Sequence, residues 1–507
     1  MKSIQITSFA LLIGVAGCSG AHSLLPSSGA QMLASTRAGA GSFVPLASQP
    51  PSQMQMAWIM TDGSVLTQSS LQPQNFYRYV PDAKGDYRDG TWSQVGSLQA
   101  GYQASDFASD VLADGRFAIV GGEYNLGKFA LTNLGAIYDP VKKKWAPLGH
   151  PQGWGWIGDS PSTVLRDGHL LVGDKLHEWD AFLDPKTLQW TRVGYAGKAD
   201  FNAEEGWTLL ADGRILTADV LHAPNSEIYD PVKGRWRSAG STIVDLHSPT
   251  PDHNCLPYGP NPRDCYFPPG EIGPSILRPD GTVFYTGSYT QPQGNGAGHT
   301  AIFYSTGSKA GTWVAGPDFP NGDNAGDSYA VLEPSGNVLV FGASGALYEW
   351  NGTTFKQVTR AWAVGAPILL PTGQVMMTAA AEVVIYTPKG SPDASWAPTI
   401  KRYPKTIAGG KTYKIIGTQF NGLSQAMAFG DELQNATNYP LVRITNTASG
   451  DVYYARTHDH STMGVATGAK TVWTYFDVPK GLAKGSSTLE VVANGIASKP
   501  VKVSVSG

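Results

Sequence analysis

Seven repeats in the sequence limit the folds that this chain can adopt. Each repeat is an apolar run, a short turn that ends in glycine, and a second apolar run. Repeats at a period of roughly 50 residues are typical of units that stack side by side, because one unit cannot bury both of its faces. Asp-Gly between apolar runs favours a type I′ hairpin, in which both central residues take a positive φ. The turn glycines are Gly63, Gly115, Gly168, Gly213, Gly281, Gly336 and Gly373.

A second strand pair follows the hairpin in each of the clearest copies. It places an Asp-Pro turn before a last strand that carries Trp145, Trp190 or Trp236, side chains large enough to fill the wedge between adjacent sheets. Four strands in each of seven repeats predict a β-propeller over residues 41–396. Because Ser42–Ser48 resembles the outer strand at Lys144–His150, we expect the N-terminal strand to complete the last blade and close the ring.

The residues after the propeller, 397–507, are predicted to form a separate domain. They alternate apolar and polar positions in about seven short strands, which is typical of an immunoglobulin-like β-sandwich. The repeats before them resemble kelch repeats. The expected fold class is therefore all-β, a seven-bladed kelch-type β-propeller followed by an immunoglobulin-like β-sandwich.

The N-terminus indicates export from a bacterial cytoplasm. Residues 1–17 combine one lysine with a short apolar run, and Val15–Cys18 resembles a lipoprotein box in which Cys18 is lipidated. Residues 18–40 would be a flexible tether, and Ser19 favours the outer membrane. The expected location is the bacterial cell envelope, with membrane contact through the N-terminal lipid only. The alternative is an ordinary signal peptide with a chance cysteine.

Composition and the remaining cysteines limit the choice of partners and cofactors. A net charge of -3 does not favour binding to nucleic acid.

Cys255 and Cys265 lie ten residues apart in a proline-rich loop, and in an oxidising compartment they are expected to form a disulfide. A metal-binding or reactive thiol pair is the alternative.

A kelch propeller followed by an immunoglobulin-like domain is similar to the galactose oxidase and glyoxal oxidase family. The resemblance implies a copper ion held by two tyrosines and two histidines, a Tyr-Cys cross-link, and a C-terminal loop that enters the propeller channel. Here Ala363 and Val364 stand where the family has its Tyr-His pair, and the loop at residues 429–440 contains no histidine. That loop is expected to bring Glu432, Asn435 and Asn438 near the channel. The copper-radical activity is therefore not expected.

Carboxylates at the head of the innermost strands form the first candidate site. They would line the channel mouth in blades two to six, on the face where the loops gather. Converging oxygens could bind a hard cation such as Ca²⁺ or a polyol, or they could only cap backbone N–H groups and hold neighbouring blades together. These residues are Asp106, Asp159, Glu204, Glu205, Glu271 and Asp327.

Histidines and tryptophans of the same loops form the second candidate site. His177, His222 and His299 occupy equivalent loops of consecutive blades, so they could bind a transition metal or be ordinary loop histidines. Trp154 and Trp156 could stack on a sugar, or they could be buried between blades. In the C-terminal domain, His458 and His460 lie at i and i+2 and could supply half of a metal site.

Together these features predict a lipid-anchored propeller that binds a carbohydrate-like or protein ligand at its loop face. The alternative is an enzyme at the same face, either a diverged metal oxidoreductase or a polysaccharide-cleaving enzyme. The sequence contains no G-x-S-x-G, H-E-x-x-H or Walker motif, so an enzyme is not the leading interpretation.

Overall fold

A computed structural model describes residues 41–194, 196–248, 271–288, 297–326, 328–359, 365–378, 382–429 and 435–506, together with the strand backbones of 256–257 and 265–266. The described chain is all β apart from two short 3-10 turns, Pro320–Gly322 and Ala394–Trp396. None of its helices is long and apolar enough to cross a membrane.

Seven antiparallel sheets form the blades of a propeller, each with four blade strands, a to d, that run from the channel outward, and the sheet of blade 6 contains a fifth strand from the C-terminal domain. Blade 1 contains Met54–Ile59, Val65–Ser69, Phe76–Val80 and Thr91–Gln94. Blade 2 contains Ala108–Val111, Phe117–Val120, Gly135–Asp139 and Lys144–Leu148, with a small ribbon of Tyr124–Asn125 and Lys128–Phe129. Blade 3 contains Ser162–Val164, Leu170–Gly173, Asp180–Leu183 and Trp190–Val193. Blade 4 contains Thr208–Leu209, Ile215–Ala218, Asn225–Asp230 and Arg235–Ser241.

The ribbon of Leu256–Pro257 and Cys265–Tyr266 lies between blades 4 and 5. Blade 5 contains Ser275–Leu277, Thr282–Thr286, Thr300–Tyr304 and Thr312–Ala315. Blade 6 contains Tyr329–Leu332, Val338–Phe341, Leu347–Trp350 and Phe355–Thr359. Blade 7 contains Pro367–Leu369, Val375–Thr378 and Val383–Thr387, and its strand d is Ser42–Pro45.

Strand d of blade 7 confirms the predicted closure of the ring. Ser42 to Pro45 pair antiparallel with Thr387 to Val384, and the ring of Phe43 packs 4.6 Å from that of Tyr386. The first described strand therefore joins the last blade, and the sheet edge of Val383–Thr387 is covered.

The seven hairpins form at the predicted positions, but their turns are not type I′. Each turn glycine has a positive φ, from 72° at Gly63 to 96° at Gly168, whereas the residue before it does not. In blade 1 the N–H of Gly63 donates to the carbonyl of Met60, three residues earlier, at 2.9 Å. This is a type I turn followed by a left-handed glycine, and that longer loop needs a positive φ at one residue only.

The C-terminal domain is one strongly curled sheet rather than two separate sheets in the hydrogen-bond pattern. Its strands pair in one continuous order, in which Thr399–Arg402 and Thr406–Ala408 are the two edge strands. The sheet curls, so that its strands surround a common apolar core. The others are Thr412–Thr418, Val472–Asp477, Val452–His458, Leu441–Asn446, Gly485–Ala493 and Val501–Ser506 in that order, with Ile496–Ala497 pairing to Gly485–Ala493.

This sheet packs on the end of the propeller where strands a and b turn. The N–H of Thr457 donates to the Thr61 carbonyl at 3.1 Å, and the N–H of Met463 donates to the Arg166 carbonyl at 3.1 Å. The b–c loops and the connections between blades gather at the opposite end, which we call the loop face. The contacts of the described C-terminal sheet fall at the turn end, so the loop face is the side that it leaves open.

A segment of the C-terminal domain, Gln425–Phe429, runs into the propeller channel. Its strand Met427–Phe429 pairs antiparallel with strand a of blade 6, so that sheet has five strands. The amide of Gln425 donates to the Thr163 hydroxyl at 2.9 Å and accepts from the Leu209 N–H at 3.0 Å, which links blades 3 and 4. Of the loop at residues 429–440 that was expected to enter the channel, the first residue, Phe429, pairs with Tyr329 of blade 6, and residues 430–434 lie outside the described part of the chain.

The other end of that loop also reaches the channel. Asn435 donates to the Ala57 carbonyl in blade 1, whereas Asn438, also expected near the channel, donates to the Met463 carbonyl of its own domain at 2.7 Å. Asn494 holds the base of the loop, because its side chain bonds to Leu423, Ser424 and Thr437. Glu432 lies outside the described residues. The described ends of this loop thus contact strands a of blades 1, 3, 4 and 6.

Candidate functional site

The first cluster on the loop face surrounds the buried ammonium of Lys175, in the b–c loop of blade 3. Lys175 donates to Asp159 from the preceding connection and to Glu204 from the following one, the latter at 2.7 Å. Glu123, from the b–c loop of blade 2, is buried beside them, and this burial together with the charge of Asp159 raises the pKa of Glu123 well above its usual value. The cluster therefore joins three blade segments through one cation.

The second cluster surrounds the ammonium of Lys198, in the connection between blades 3 and 4. The Lys198 side chain is 0% exposed, and its Nζ lies 2.9 to 3.0 Å from carboxylate oxygens of three residues. Its Nζ also lies 5.1 Å from the centre of the Trp236 ring. The three acids are Asp200, Glu205 and Glu227.

The charges of this second cluster do not balance. Burial disfavours the ammonium, but the carboxylates outweigh it and hold the pKa of Lys198 well above its usual value. Asp219 brings a fourth carboxylate within 4.8 Å of the other three. Burial, together with the charges of Asp200 and Glu227, raises the pKa of Asp219 to about 8. One ammonium thus faces four acidic groups, an arrangement that favours a second cation or bound protons.

A stack of aromatic rings lies beside the Lys175 cluster. The rings of His177 and Trp179 are parallel with centres 3.8 Å apart, and that of Trp156 is nearly parallel to His177 at 6.1 Å. Arg192 lies over Trp179 at 4.9 Å, and His177 Nδ1 is 3.0 Å from Asp174. Trp156, His177 and Trp179 are all half-buried, so part of the stack reaches the loop-face surface.

The predicted carboxylates do not form one ring around the channel mouth. Asp159 and Glu204 belong to the Lys175 cluster and Glu205 to the Lys198 cluster, which fits their alternative role of holding blades together. Asp106 is half-buried with a φ of 53°, and Glu271 bonds through its backbone to Ser248. Asp327 lies outside the described residues.

The three predicted metal-binding histidines are also separated. Each pairs with a different acid: His177 with Asp174, His222 with Asp200, and His299 with Asp318 at 2.7 Å. In the described part of the chain, no group of three potential ligands within 4.8 Å contains two of them. One such group contains His222, with Asp200 and Asp219. Trp154 is almost completely buried, so it packs in the core and not at the surface.

Sequence reasoning missed the two lysines on which these clusters depend, and it also missed Asp200 and Asp219. A local signal was present for Lys198 only, because it stands in the loop GKADFNAEE with two of the acids that it binds, Asp200 and Glu205, whereas the partners of Lys175 lie outside its own loop GDKLH. A lysine in a loop is ordinarily solvated, so nothing local marked these two as buried.

Two buried tyrosines of the channel region have protein partners in the described structure: Tyr329 donates to the sulfur of Met56, and Tyr439 donates to the Ile59 carbonyl. Ala363 and Val364 lie outside the described residues, as do Cys18 and Cys255, while only the backbone of Cys265 is described. The disulfide and the lipid anchor stay predictions.

The histidines His458 and His460 do not converge on one metal position in the described structure. His458 lies between Asp459 and Asp477, whereas His460 is buried, with its Nδ1 2.9 Å from the Thr474 hydroxyl and its Nε2 without a hydrogen-bond partner. Burial lowers the pKa of His460 to about 3, and the nearby charge of His458 adds to this effect.

Because His460 is neutral in the folded state, acid should destabilise the protein through this residue. Between about pH 6.5 and pH 3 the unfolded state binds a proton that the folded state does not, so the free energy of unfolding falls by up to about 1.4 kcal/mol per pH unit. His460→Gln should reduce that slope in urea titrations, whereas His169→Gln at the surface should leave it in place. An unchanged slope in His460→Gln would contradict this prediction.

The comparisons with known proteins concern the fold. No protein-family model and no curated protein matches the sequence. Matching solved structures include a fungal alcohol oxidase of the AA5 family in complex with copper, at 14% identity and a TM-score of 0.47, which covers 92% of this chain and 99% of that one. A streptogramin B lyase is 13% identical with a TM-score of 0.45, covering 69% of this chain and 98% of that one.

A virginiamycin B lyase from Staphylococcus aureus is 10% identical with a TM-score of 0.43, covering 69% of this chain and 99% of that one. These proteins are similar to the chain at identities of 14% or less and TM-scores below 0.5, so none of their activities transfers to it. What the structure itself establishes is a seven-bladed β-propeller with a curled C-terminal β-sheet domain.

Proposed function

We propose that this protein is a binding propeller of the bacterial cell envelope, anchored through a lipid on Cys18, whose loop face binds a carbohydrate-like ligand. The observation that carries the proposal is the half-buried stack of Trp156, His177 and Trp179 on the face that the C-terminal sheet leaves open. A protein ligand is the other outcome that the binding experiment can give.

The chemistry of the stack suits a sugar ring. Flat aromatic surface packs against the C–H face of a pyranose, while polar groups at the edge of the ring bond to its hydroxyls. The half-buried imidazole of His177 supplies such a polar group in the stack, and the buried carboxylate of Asp174, 3.0 Å from His177 Nδ1, holds it in place. Trp156 lies in the connection that leads into blade 3, and His177 and Trp179 lie in its b–c loop, so the stack is already assembled in the folded protein and little ordering would be needed on binding.

The location rests on the sequence of the N-terminus. A lipidated Cys18 followed by the tether of residues 18–40 would hold the propeller close to a membrane surface while leaving it free to turn. Metabolic labelling with a palmitate analogue tests this part of the proposal. Label that is lost in Cys18→Ala supports the anchor, and unlabelled wild-type protein contradicts it.

The binding proposal predicts that Trp156→Ala weakens oligosaccharide binding by about tenfold, because stacking contacts of this kind contribute about 1–1.5 kcal/mol. The measurement is calorimetric or NMR titration of the full chain with a panel of neutral and acidic oligosaccharides. Thermal unfolding of the variant verifies that the propeller is intact.

Trp473→Ala provides a matched control. Trp473 is also exposed, but it lies on the C-terminal sheet, away from the loop face, so this variant should bind like the wild type. Equal affinity in wild type and Trp156→Ala would contradict the proposed site. Binding of a peptide but of no oligosaccharide would contradict the proposed ligand class.

A further inference from the structure

We infer that Asp200, Asp219 and His222 form a binding site for a divalent transition-metal ion at the loop face of blade 4. One ligand atom from each residue lies within 4.8 Å of the other two. The juxtaposition comes from two segments, since Asp200 belongs to the connection before blade 4 and the other two belong to its b–c loop. This inference does not depend on carbohydrate binding.

The distances require little movement to accommodate an ion. His222 Nδ1 lies 3.8 Å from Asp200 Oδ2. Ligands about 2.1 Å from a tetrahedral zinc ion are separated by about 3.4 Å, so this pair needs to approach by about 0.4 Å. A change of that size is available to His222, whose side chain is 52% exposed and at the end of a turn.

The two oxygens of Asp200 have separate partners. Oδ1 accepts from the ammonium of Lys198 at 2.9 Å, whereas Oδ2 accepts from the Leu221 N–H at 3.2 Å and faces His222. Lys198 therefore holds the carboxylate in place from the interior and leaves its other oxygen directed toward the loop-face surface. This is the orienting role that outer partners play at metal sites.

A second observation that points to a bound ion comes from Asp219. This residue is 3% exposed, yet its Oδ1 atom has no hydrogen-bond partner among the described residues. A buried carboxylate oxygen without a partner costs free energy, and native structures ordinarily pair such an atom with a donor or an ion. Lys198 supplies a single positive charge to Asp200, Glu205 and Glu227, so a cation at Asp219 would offset part of the remaining negative charge of the cluster.

The donor set points to a class of metal. A hard ion such as Ca²⁺ takes six or more oxygens, whereas a set of one imidazole and two carboxylates suits Zn²⁺, Mn²⁺ or Fe²⁺. Three protein ligands leave open coordination positions, and the exposure of His222 provides a route for water or a second ligand. The group of four acids shares Asp200 and Asp219 with this site, but three of its members already bind the Lys198 ammonium.

The test is Zn²⁺ titration of metal-stripped full-length protein by calorimetry, with the visible absorption of bound Co²⁺ as a second readout. The wild type should bind one equivalent, His222→Gln should weaken binding at least 10-fold, and Asp219→Asn at least 10-fold as well. His222 is exposed, so its variant keeps the fold even if Asp219→Asn does not. In His222→Gln the Co²⁺ spectrum should lose the contribution of the imidazole.

His247→Gln is the matched control, because His247 forms a comparable histidine–acid pair with Asp245 but belongs to no group of three ligands in the described structure. Its Zn²⁺ affinity should equal that of the wild type. Failure to bind Zn²⁺ below millimolar concentration, equal affinity in His222→Gln, or Ca²⁺ binding that His222→Gln leaves unchanged would each overturn the inference. Oligosaccharide titration in the presence of a chelator tests carbohydrate binding without the metal. Its outcome can therefore be distinguished from the outcome of the Zn²⁺ titration.

Discussion

Replacing Lys198 by methionine is expected to lower the free energy of unfolding by about 3–5 kcal/mol at pH 7. Methionine keeps the length and most of the volume of the side chain but removes the charge. The loss leaves Asp200, Glu205 and Glu227 buried without the cation that lies 2.9 to 3.0 Å from them. Urea unfolding followed by fluorescence measures the difference.

Lowering the pH should reduce the loss of unfolding free energy in Lys198→Met. In the variant the buried carboxylates can be satisfied by protons, so the folded state binds more protons than the unfolded state and gains stability relative to the wild type as the pH falls from 8 toward 5. The elevated pKa of Asp219, about 8, shows the same tendency in the wild type.

Lys84→Met is the matched control for Lys198→Met. Lys84 also donates to an aspartate, Asp451, but its side chain is 58% exposed, so losing that ion pair should cost about 0–1 kcal/mol. If Lys198→Met and Lys84→Met destabilise the protein equally, the buried cluster does not hold the connection between blades 3 and 4 to blade 4.

Removing residues 1–48 is expected to destabilise the protein by about 5 kcal/mol relative to removing residues 1–40. The longer deletion eliminates strand d of blade 7, with its four registered pairs and the buried Leu46. Each hydrogen bond contributes about 0.5–1.5 kcal/mol and each buried apolar side chain about 1.5–3 kcal/mol, offset in part by the chain entropy that is regained.

The same deletion should promote association, because it exposes the edge of Val383–Thr387. Thermal unfolding and light scattering of the two truncated proteins measure both effects. Removal of residues 1–40 is the control, since it leaves Ser42–Pro45 in place. Two truncated proteins of equal stability would contradict the closing role of this strand.

The repeat count, the strand pairing within blades and the closure of the ring were predictable, because they depend on local patterns. An apolar run needs a partner strand, and a left-handed turn needs glycine, wherever the chain is placed. The turn type was predicted wrongly for a related reason. Asp-Gly permits two hairpin geometries, and the number of loop residues, as seen in the Gly63 to Met60 hydrogen bond, selects between them.

The sequence predicted the face on which the candidate site lies, but it did not predict which carboxylates lie together. The loops were correctly placed on one face, yet Asp159 and Glu205 proved to lie in separate clusters around different lysines. Whether a carboxylate binds a ligand or a buried ammonium depends on what stands within 3 Å of it. That neighbour comes from another blade segment, which no spacing along the chain encodes.

An all-β chain of seven four-stranded units with a separate C-terminal domain follows from the amino-acid sequence, because hydrophobic periodicity and turn chemistry act over a few residues. The contacts of Gln425 and Asn435 with the propeller, the burial of Lys198 and the meeting of Asp200, Asp219 and His222 at the loop face arise in the packed structure. The physical reason is that desolvation and charge pairing depend on distance in space, so they become defined when the blades are packed.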